Sequence, residues 1–255
     1  MNRFAMLFLA AAFSFAAWGQ RFQPLTGPVP RTADGKPDLS GVWEHPFVPD
    51  MTKDTPNQKG MAELPFTEWG HRILPTNPCG GPSPTEWRNY HAENGDYTGA
   101  CLPFGLPRSV NSPYPIQIVQ SSKYVALLFE QSTWFHVAPV DGRGHRKQDP
   151  TWFGDSVGHW EGDTLVIDTI NFNGHTRMDT IGHPHSDQLH LTQRFTRTDL
   201  GHISYEMIVE DPKTYTRPWK NTRTFILRPD WEIMEYSCEE NNKGLWDGHI
   251  KVPKF

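Results

Sequence analysis

The chain has 255 residues and a formal net charge of −5, with 24 Lys and Arg interspersed among 29 Asp and Glu. That balance leaves no basic stripe and excludes the electrostatic footprint of a nucleic-acid binder, while the length fits one principal β-barrel or sandwich core. The 10 Trp, 15 Phe and 7 Tyr are enough to fill such a core and to leave stacking surfaces for planar ligands or sugars.

Residues 1–19 have the pattern of a signal peptide. Arg3 supplies the positive start, Phe4 to Trp18 is apolar or small, and Ala17 and Gly19 occupy the positions that signal peptidase reads. Cleavage is expected just after Gly19. The run is too short for a membrane anchor and no cysteine follows it to accept lipid, so the expectation is an exported protein, periplasmic or secreted, with no stable membrane insertion. In an oxidising compartment the 3 cysteines predict one disulfide and one spare thiol. Cys79 with Cys101 closes a short Gly/Pro/Ser loop; Cys101 with Cys238, the preferred pair, ties the start of the strand-rich region to its last strand.

Residues 20–115 are dense in Pro and Gly (PVPRTADGKPDLSG, NPCGGPSPTEW, CLPFGLPR) and read as extended loops and short strands packed on the rest. Residues 116–255 change to strand periodicity. IQIVQ, YVALLFEQ, WFHVAPV, TLVIDTINF, LHLTQRFTR, ISYEMIVED, RTFILR and WEIMEYSC alternate or run apolar at strand length, with turn residues between them. Glu161-Gly162-Asp163 and Thr198-Asp199-Leu200-Gly201 are hairpin turns. An all-β antiparallel meander that closes into a barrel is the leading architecture, with a β-sandwich as the alternative and the Pro/Gly-rich segment as an irregular wrap.

Gly41-Val42-Trp43 resembles the Gly-x-Trp motif on the first strand of lipocalins and other calycins, and the resemblance implies a Trp that plugs the closed end of the barrel. Over a longer span, PRTADGKPDLSGVW, CLPFGLPR, HWEGDTLVIDTINFN, HPHSDQLHLTQRF, VEDPKTYTRPW and EYSCEENNK are similar to segments of a large uncharacterised family of exported proteins from soil and environmental bacteria. That resemblance brings no reaction. It marks Trp160, Glu161, Gly162, Asp163, Asp168, His183, His185, Asp187, His190, Asp211, Pro212 and Trp219, with Cys101 and Cys238, as recurring positions.

Trp160 to His190 concentrates histidine and aspartate beside apolar strands, which points to proton transfer, metal binding or polar recognition. His185, Asp187 and His190 are the candidate acid–base residues. His183, His185 and His190, with Asp187 or Asp179, form a candidate site for a divalent transition metal; the alternative is no cofactor. The structural alternative makes Asp163 a turn carboxylate and Ser186-Asp187 a cap on the next strand. Strand parity sets Leu189, Leu191 and Phe195 opposite His190, Thr192 and Arg194, and places Glu206 with Ser204 and Ile208. A polar face turned into the lumen gives His190, Arg194, Glu206 and Glu235 a ligand-binding role; turned outward, the same residues are ordinary surface. Tyr215 and Trp219 in the Pro-stiffened loop DPKTYTRPW, with Trp160, are candidate stacking residues. No Gly-x-Ser-x-Gly, phosphate loop, dinucleotide fingerprint or Cys-x-x-Cys occurs. The partner expected is a small aromatic or sugar-derived molecule. It is either the substrate of a lyase, isomerase or hydrolase using His/Asp chemistry, or the ligand of a non-catalytic lipocalin-like binding protein. A metal-dependent hydrolase using His183, His185 and His190 is a further alternative.

Overall fold

The computed structural model describes residues 22–74 and 100–248; the expected signal peptide and Cys79 lie outside these residues. The strands are β1 (Gly41–Glu44), β2 (Gln58–Lys59), β3 (Ile116–Gln120), β4 (Tyr124–Phe129), β5 (Phe135–Pro139), β6 (Asp155–Glu161), β7 (Thr164–Ile170), β8 (His190–Arg197), β9 (His202–Glu210) and β10 (Trp219–Leu227). Short helices α1 (Glu68–Ile73), α2 (Leu106–Val110) and α3 (Lys243–Trp246) interrupt the connections. The strands form one antiparallel sheet in the order β5-β4-β3-β1-β10-β9-β8-β7-β6, with β2 attached to β10.

The two ends of that order, β5 and β6, face each other and nearly close the sheet into a barrel, with no backbone ladder between them among the described residues. Side chains bridge the seam. His136 Nε2 lies 2.8 Å from Ser156 Oγ, which lies 2.6 Å from Thr169 Oγ1. Gly158 lets the strands approach, since a Cβ there would stand 2.8 Å from Val140 Cγ1.

Period-2 alternation sets the two faces. Leu191, Gln193, Phe195 and Arg197 of β8 point inward with Ile203, Tyr205, Met207 and Val209 of β9 and Trp219, Asn221, Arg223 and Phe225 of β10. His190, Thr192 and Arg194 are on the outer wall. One end of the barrel is closed by Trp43, whose indole donates to the Leu39 carbonyl (2.9 Å) and whose ring lies 5.1 Å from the Arg197 guanidinium. That guanidinium also donates to the carbonyls of Asp38, Asp199 and Leu200. The Glu161-Gly162-Asp163 turn lies at the same end, with Gly162 at φ 59° as a tight hairpin requires.

The opposite end is covered by residues 45–74, the segment carrying α2, and the loops 171–189 and 211–218. Proline in the first turn of α2 and Gly105 before it set its start, and all five residues of α2 are buried. Gly105 is at φ 75° and would carry a Cβ 2.6 Å from Thr176 Oγ1, so α2 packs directly on the 171–189 loop. A disulfide joins Cys101 to Cys238 across 137 positions, with the Cα atoms 5.4 Å apart.

The sheet lacks one of the expected strands. Trp231–Cys238 has strand-like alternation but forms no ladder, because the edge of β10 beyond Phe225 is already paired with β1 (Trp43↔Leu227, Glu44↔Ile226). Pro229 and the contacts of Arg228 turn the chain away: its guanidinium pairs with Glu44 and Asp230 and lies 3.9 Å from the rings of both Phe22 and Trp231. Among the described residues, no helix is long and apolar enough to cross a membrane.

Candidate functional site

The histidine- and aspartate-rich loop after β7 is held together by two buried carboxylates. Asp179 accepts from the backbone N–H groups of Met51 (2.8 Å), Gly182 (3.2 Å) and His183 (3.1 Å), and His183 Nδ1 stands 2.6 Å from it. Asp211 accepts from Ser186 N (2.6 Å) and Oγ (2.7 Å) and from Thr214 N (3.1 Å) and Oγ1 (2.8 Å). Tyr215 donates its hydroxyl to the Pro184 carbonyl (2.7 Å). These bonds satisfy loop backbone that would otherwise be buried without partners, so the cluster works as a cap over the barrel end.

His185 belongs to this cap and is 1% exposed. Its Nδ1 faces the Ser186 carbonyl at 3.0 Å and its Nε2 the Thr176 hydroxyl at 2.6 Å, and burial pushes its pKa down to about 4. It is a neutral imidazole with both nitrogens engaged. Burial works in the same direction on His183, but the charge of Asp179, its hydrogen bond and the charge of Asp50 prevail and raise its pKa. Asp50, Asp179 and His183 place three potential ligand atoms within 4.8 Å of one another, a group able to hold a cation. His185 and His190 are not members of it, so the three-histidine arrangement does not assemble: the intervening strand start carries His190 to the outer wall.

The remaining predicted residues lie apart. Asp187 is exposed and pairs with Lys213 at 3.2 Å. Arg194 pairs with Glu161 (2.8 Å) and Glu206 with Lys220 (2.7 Å), all on the outer wall rather than in the lumen. Glu235 is exposed. Trp160 is half-buried beneath Lys36, at 5.8 Å. Tyr215 and Trp219 are core residues in edge-to-face contact at 5.3 Å, not an exposed stacking surface. Glu206 and Trp219 also line a shallow outer groove of about 450 Å³ with Lys59, Met61, Arg217 and Lys220.

Two groupings escape sequence reasoning. On the outer wall, His145 bridges Asp155 Oδ2 (3.0 Å) and Asp168 Oδ1 (2.8 Å), while the second oxygen of Asp168 meets His190 Nε2 at 2.5 Å. Partial burial opposes protonation of His145, but hydrogen bonds to Asp168 and Asp155 outweigh it and raise the pKa. Despite their own burial, Asp155 is held low by Arg146 and His145, and Asp168 by His190 and His145.

The second grouping is inside the barrel. Arg223 is 3% exposed; Nε donates to Asn221 Oδ1 (2.7 Å) and Nη1 to the Val110 carbonyl of α2 (3.0 Å), and Nη2 has no partner among the described residues. Burial lowers its pKa to about 10, and the charges it feels are those of Tyr205 and Asp179, the latter already occupied by its own four donors. Its guanidinium lies 5.6 Å from the Tyr205 ring. The Tyr205 hydroxyl accepts from Gln193 Nε2 at 2.8 Å, and Gln193 Oε1 has no partner among the described residues; burial pushes the Tyr205 pKa up to about 12. His45, 5.4 Å from the Phe225 ring, is brought down to about 4 by burial and then by Arg223. Tyr205, Phe225 and Phe195 pack around this group with centroid separations of 4.9 Å for Tyr205–Phe225 and Phe195–Tyr205. A cation ringed by aromatics and neutral polar groups can hold an oxyanion in a planar ligand. No protein-family model and no curated protein matches the chain.

Proposed function

We propose that the protein is a small-molecule-binding barrel of the exported, periplasmic or secreted space, and that it takes a planar organic anion, an aromatic carboxylate above all, against Arg223. One observation carries this reading: among the described residues, the buried Arg223 guanidinium has no hydrogen-bond partner for Nη2 and no ion pair with a carboxylate. Burying an ion without a counter-charge costs several kcal/mol, and a bound carboxylate would offset that cost through charge-assisted hydrogen bonds. Gln193 and the neutral His45 add polar groups beside the aromatic walls. This binding role uses no cofactor.

Calorimetric titration with aromatic and sugar-derived carboxylates, each beside its methyl ester, tests the proposal. The acid is expected to bind and its ester to bind at least about tenfold more weakly, since a hydrogen bond to a charged group contributes about 1.5–3 kcal/mol. Equal affinity for acid and ester would remove the role given to Arg223.

A second reading keeps one supporting observation. His190 pairs with Asp168 at 2.5 Å on a wall open to solvent, the imidazole–carboxylate pairing used in general acid–base catalysis. Lyase, isomerase or hydrolase turnover lost in His190→Gln but retained in His185→Gln would favour it.

A further inference from the structure

We propose a divalent transition-metal site inside the cap of the barrel, formed by Asp50, Asp179 and His183. It goes beyond ligand binding at Arg223 and does not rest on it. Asp50 comes from the 45–74 segment, and Asp179 and His183 come from the 171–189 loop. One ligand atom of each lies within 4.8 Å of the other two, close enough for one ion to reach all three. One imidazole and two carboxylates are a ligand set of zinc, cobalt(II) and manganese(II). Metal–ligand bonds of about 2.1 Å put tetrahedral ligand atoms about 3.4 Å apart, so His183 Nδ1 and Asp179 Oδ2, now 2.6 Å apart, need to part by less than about 1 Å.

Charge carries the argument further. Two carboxylates from segments far apart in sequence converge here, and like charges this close oppose one another. The counter-charges among the described residues are His183 and Lys53, whose ammonium stands 3.9 Å from Asp50 Oδ2 on a side chain 73% exposed. A divalent ion answers both carboxylates at once. The ligands are also aimed in advance by their outer partners, which fix orientation at metal centres. Asp179 is held by the backbone N–H groups of Met51, Gly182 and His183. Asp50 Oδ1 accepts from Thr52 N (2.9 Å) and Oγ1 (2.5 Å), which leaves Oδ2 for an ion in place of the Lys53 ammonium. The His183 ring is stacked on Phe66, with centroids 6.2 Å apart.

The side chains of Asp50, His183 and Asp179 are 17%, 8% and 0% exposed, so an ion enters past Asp50. On binding, the Nδ1 proton of His183 leaves to solvent, Nδ1 and Asp179 Oδ2 exchange their hydrogen bond for bonds to the ion, and the Lys53 ammonium moves off Asp50 Oδ2. No electron is transferred. The three backbone bonds to Asp179 stay in place, so the cap keeps its own fastening. The two segments already meet where Met51 N donates to Asp179 (2.8 Å) and Ile181 N to the Pro49 carbonyl (3.0 Å). An ion bound by Asp50 and by Asp179 and His183 staples them together over the barrel end, which makes the site a structural one.

The test is equilibrium dialysis of Zn²⁺ against the metal-stripped full chain, with Co²⁺ absorption reporting nitrogen and oxygen ligation and hydrogen exchange reporting the staple. The expected result is one ion per chain and slower exchange in the 171–189 loop when it is bound. Binding is expected to weaken by about tenfold or more in His183→Gln and in Asp50→Asn, at least the loss that removing an outer partner of a ligand causes. Asp50→Asn keeps the Oδ1 acceptor used by Thr52 and decides the matter if His183→Gln does not fold. His190→Gln, on the outer wall, is expected to bind as the wild type does. Circular dichroism confirms folding of each variant. Failure of the folded wild type to bind either ion, or binding that survives both His183→Gln and Asp50→Asn, overturns the proposal. So does binding abolished by His190→Gln alone, or binding that leaves exchange in the 171–189 loop unchanged.

Discussion

His136 closes the barrel seam by facing Ser156 from the neighbouring strand at 2.8 Å, and burial lowers its pKa from 6.5 to about 4. The unfolded chain therefore takes up a proton near pH 6.5 that the folded chain refuses until about pH 4. The contribution of the neutral imidazole is complete above the unfolded value and is lost as pH falls between the two, at about 1.4 kcal/mol per pH unit and about 3 kcal/mol in all. His136→Gln keeps a polar group toward Ser156 and removes the titration. Urea unfolding at pH 7, 6 and 5 is expected to show the wild type losing about 2 kcal/mol relative to the variant between pH 7 and 5. His145 and His183, whose pKa values are raised, act in the opposite direction, strengthening the fold below the unfolded value and losing that contribution as pH rises through the folded one. They are present in both proteins and cancel in the difference. A stability gap that stays constant with pH would refute the buried, neutral assignment of His136.

Three further outcomes are expected. With Cys79→Ser in both proteins, Cys238→Ser should lower unfolding stability by up to about 5 kcal/mol, the loop-closure value for a crosslink of this span; unchanged denaturation in the absence of reductant would contradict the pairing. Asp211→Ala removes a buried acceptor serving Ser186 and Thr214 and should cost about 3 kcal/mol or more in a denaturant titration, with increased hydrogen exchange in the 171–189 loop; unaltered exchange would count against the cap. Arg194→Ala breaks only a solvent-facing pair with Glu161 and should change stability by less than about 1 kcal/mol and leave ligand affinity unchanged; a large loss of affinity would place the binding site on the outer wall.

Alternation made the barrel legible, because β8, β9 and β10 each carry an unbroken period of two and tight turns join β6 to β7 and β8 to β9. Parity alone left the inward face undecided: on β8 and β10 both faces carry polar residues, and Gln193 and Arg223 share the parity of Phe195 and Phe225. That shared parity was the available signal for Arg223, since a cation in register with Trp219 and Phe225 is held among buried aromatics. The four-residue β1 is too short to show a period within Pro/Gly-rich sequence, and its pairing with β10 removed the strand expected at Trp231–Cys238. The His/Asp loop was legible as a concentration of titratable residues, but its bonds to Asp179 and Asp211 depend on tertiary contacts with Met51 and Thr214. His145 carried no local signal, because its partners Asp155 and Asp168 are 10 and 23 residues away and the loop around it has no periodicity.

The most direct test of the central claim is the affinity of the folded wild type and of Arg223→Gln for the tightest-binding aromatic carboxylate in the titration panel. Arg223→Gln is expected to lose about tenfold to a hundredfold in affinity for the acid, with almost no change for its methyl ester. Retention of full affinity for the acid by a folded Arg223→Gln variant would contradict that claim.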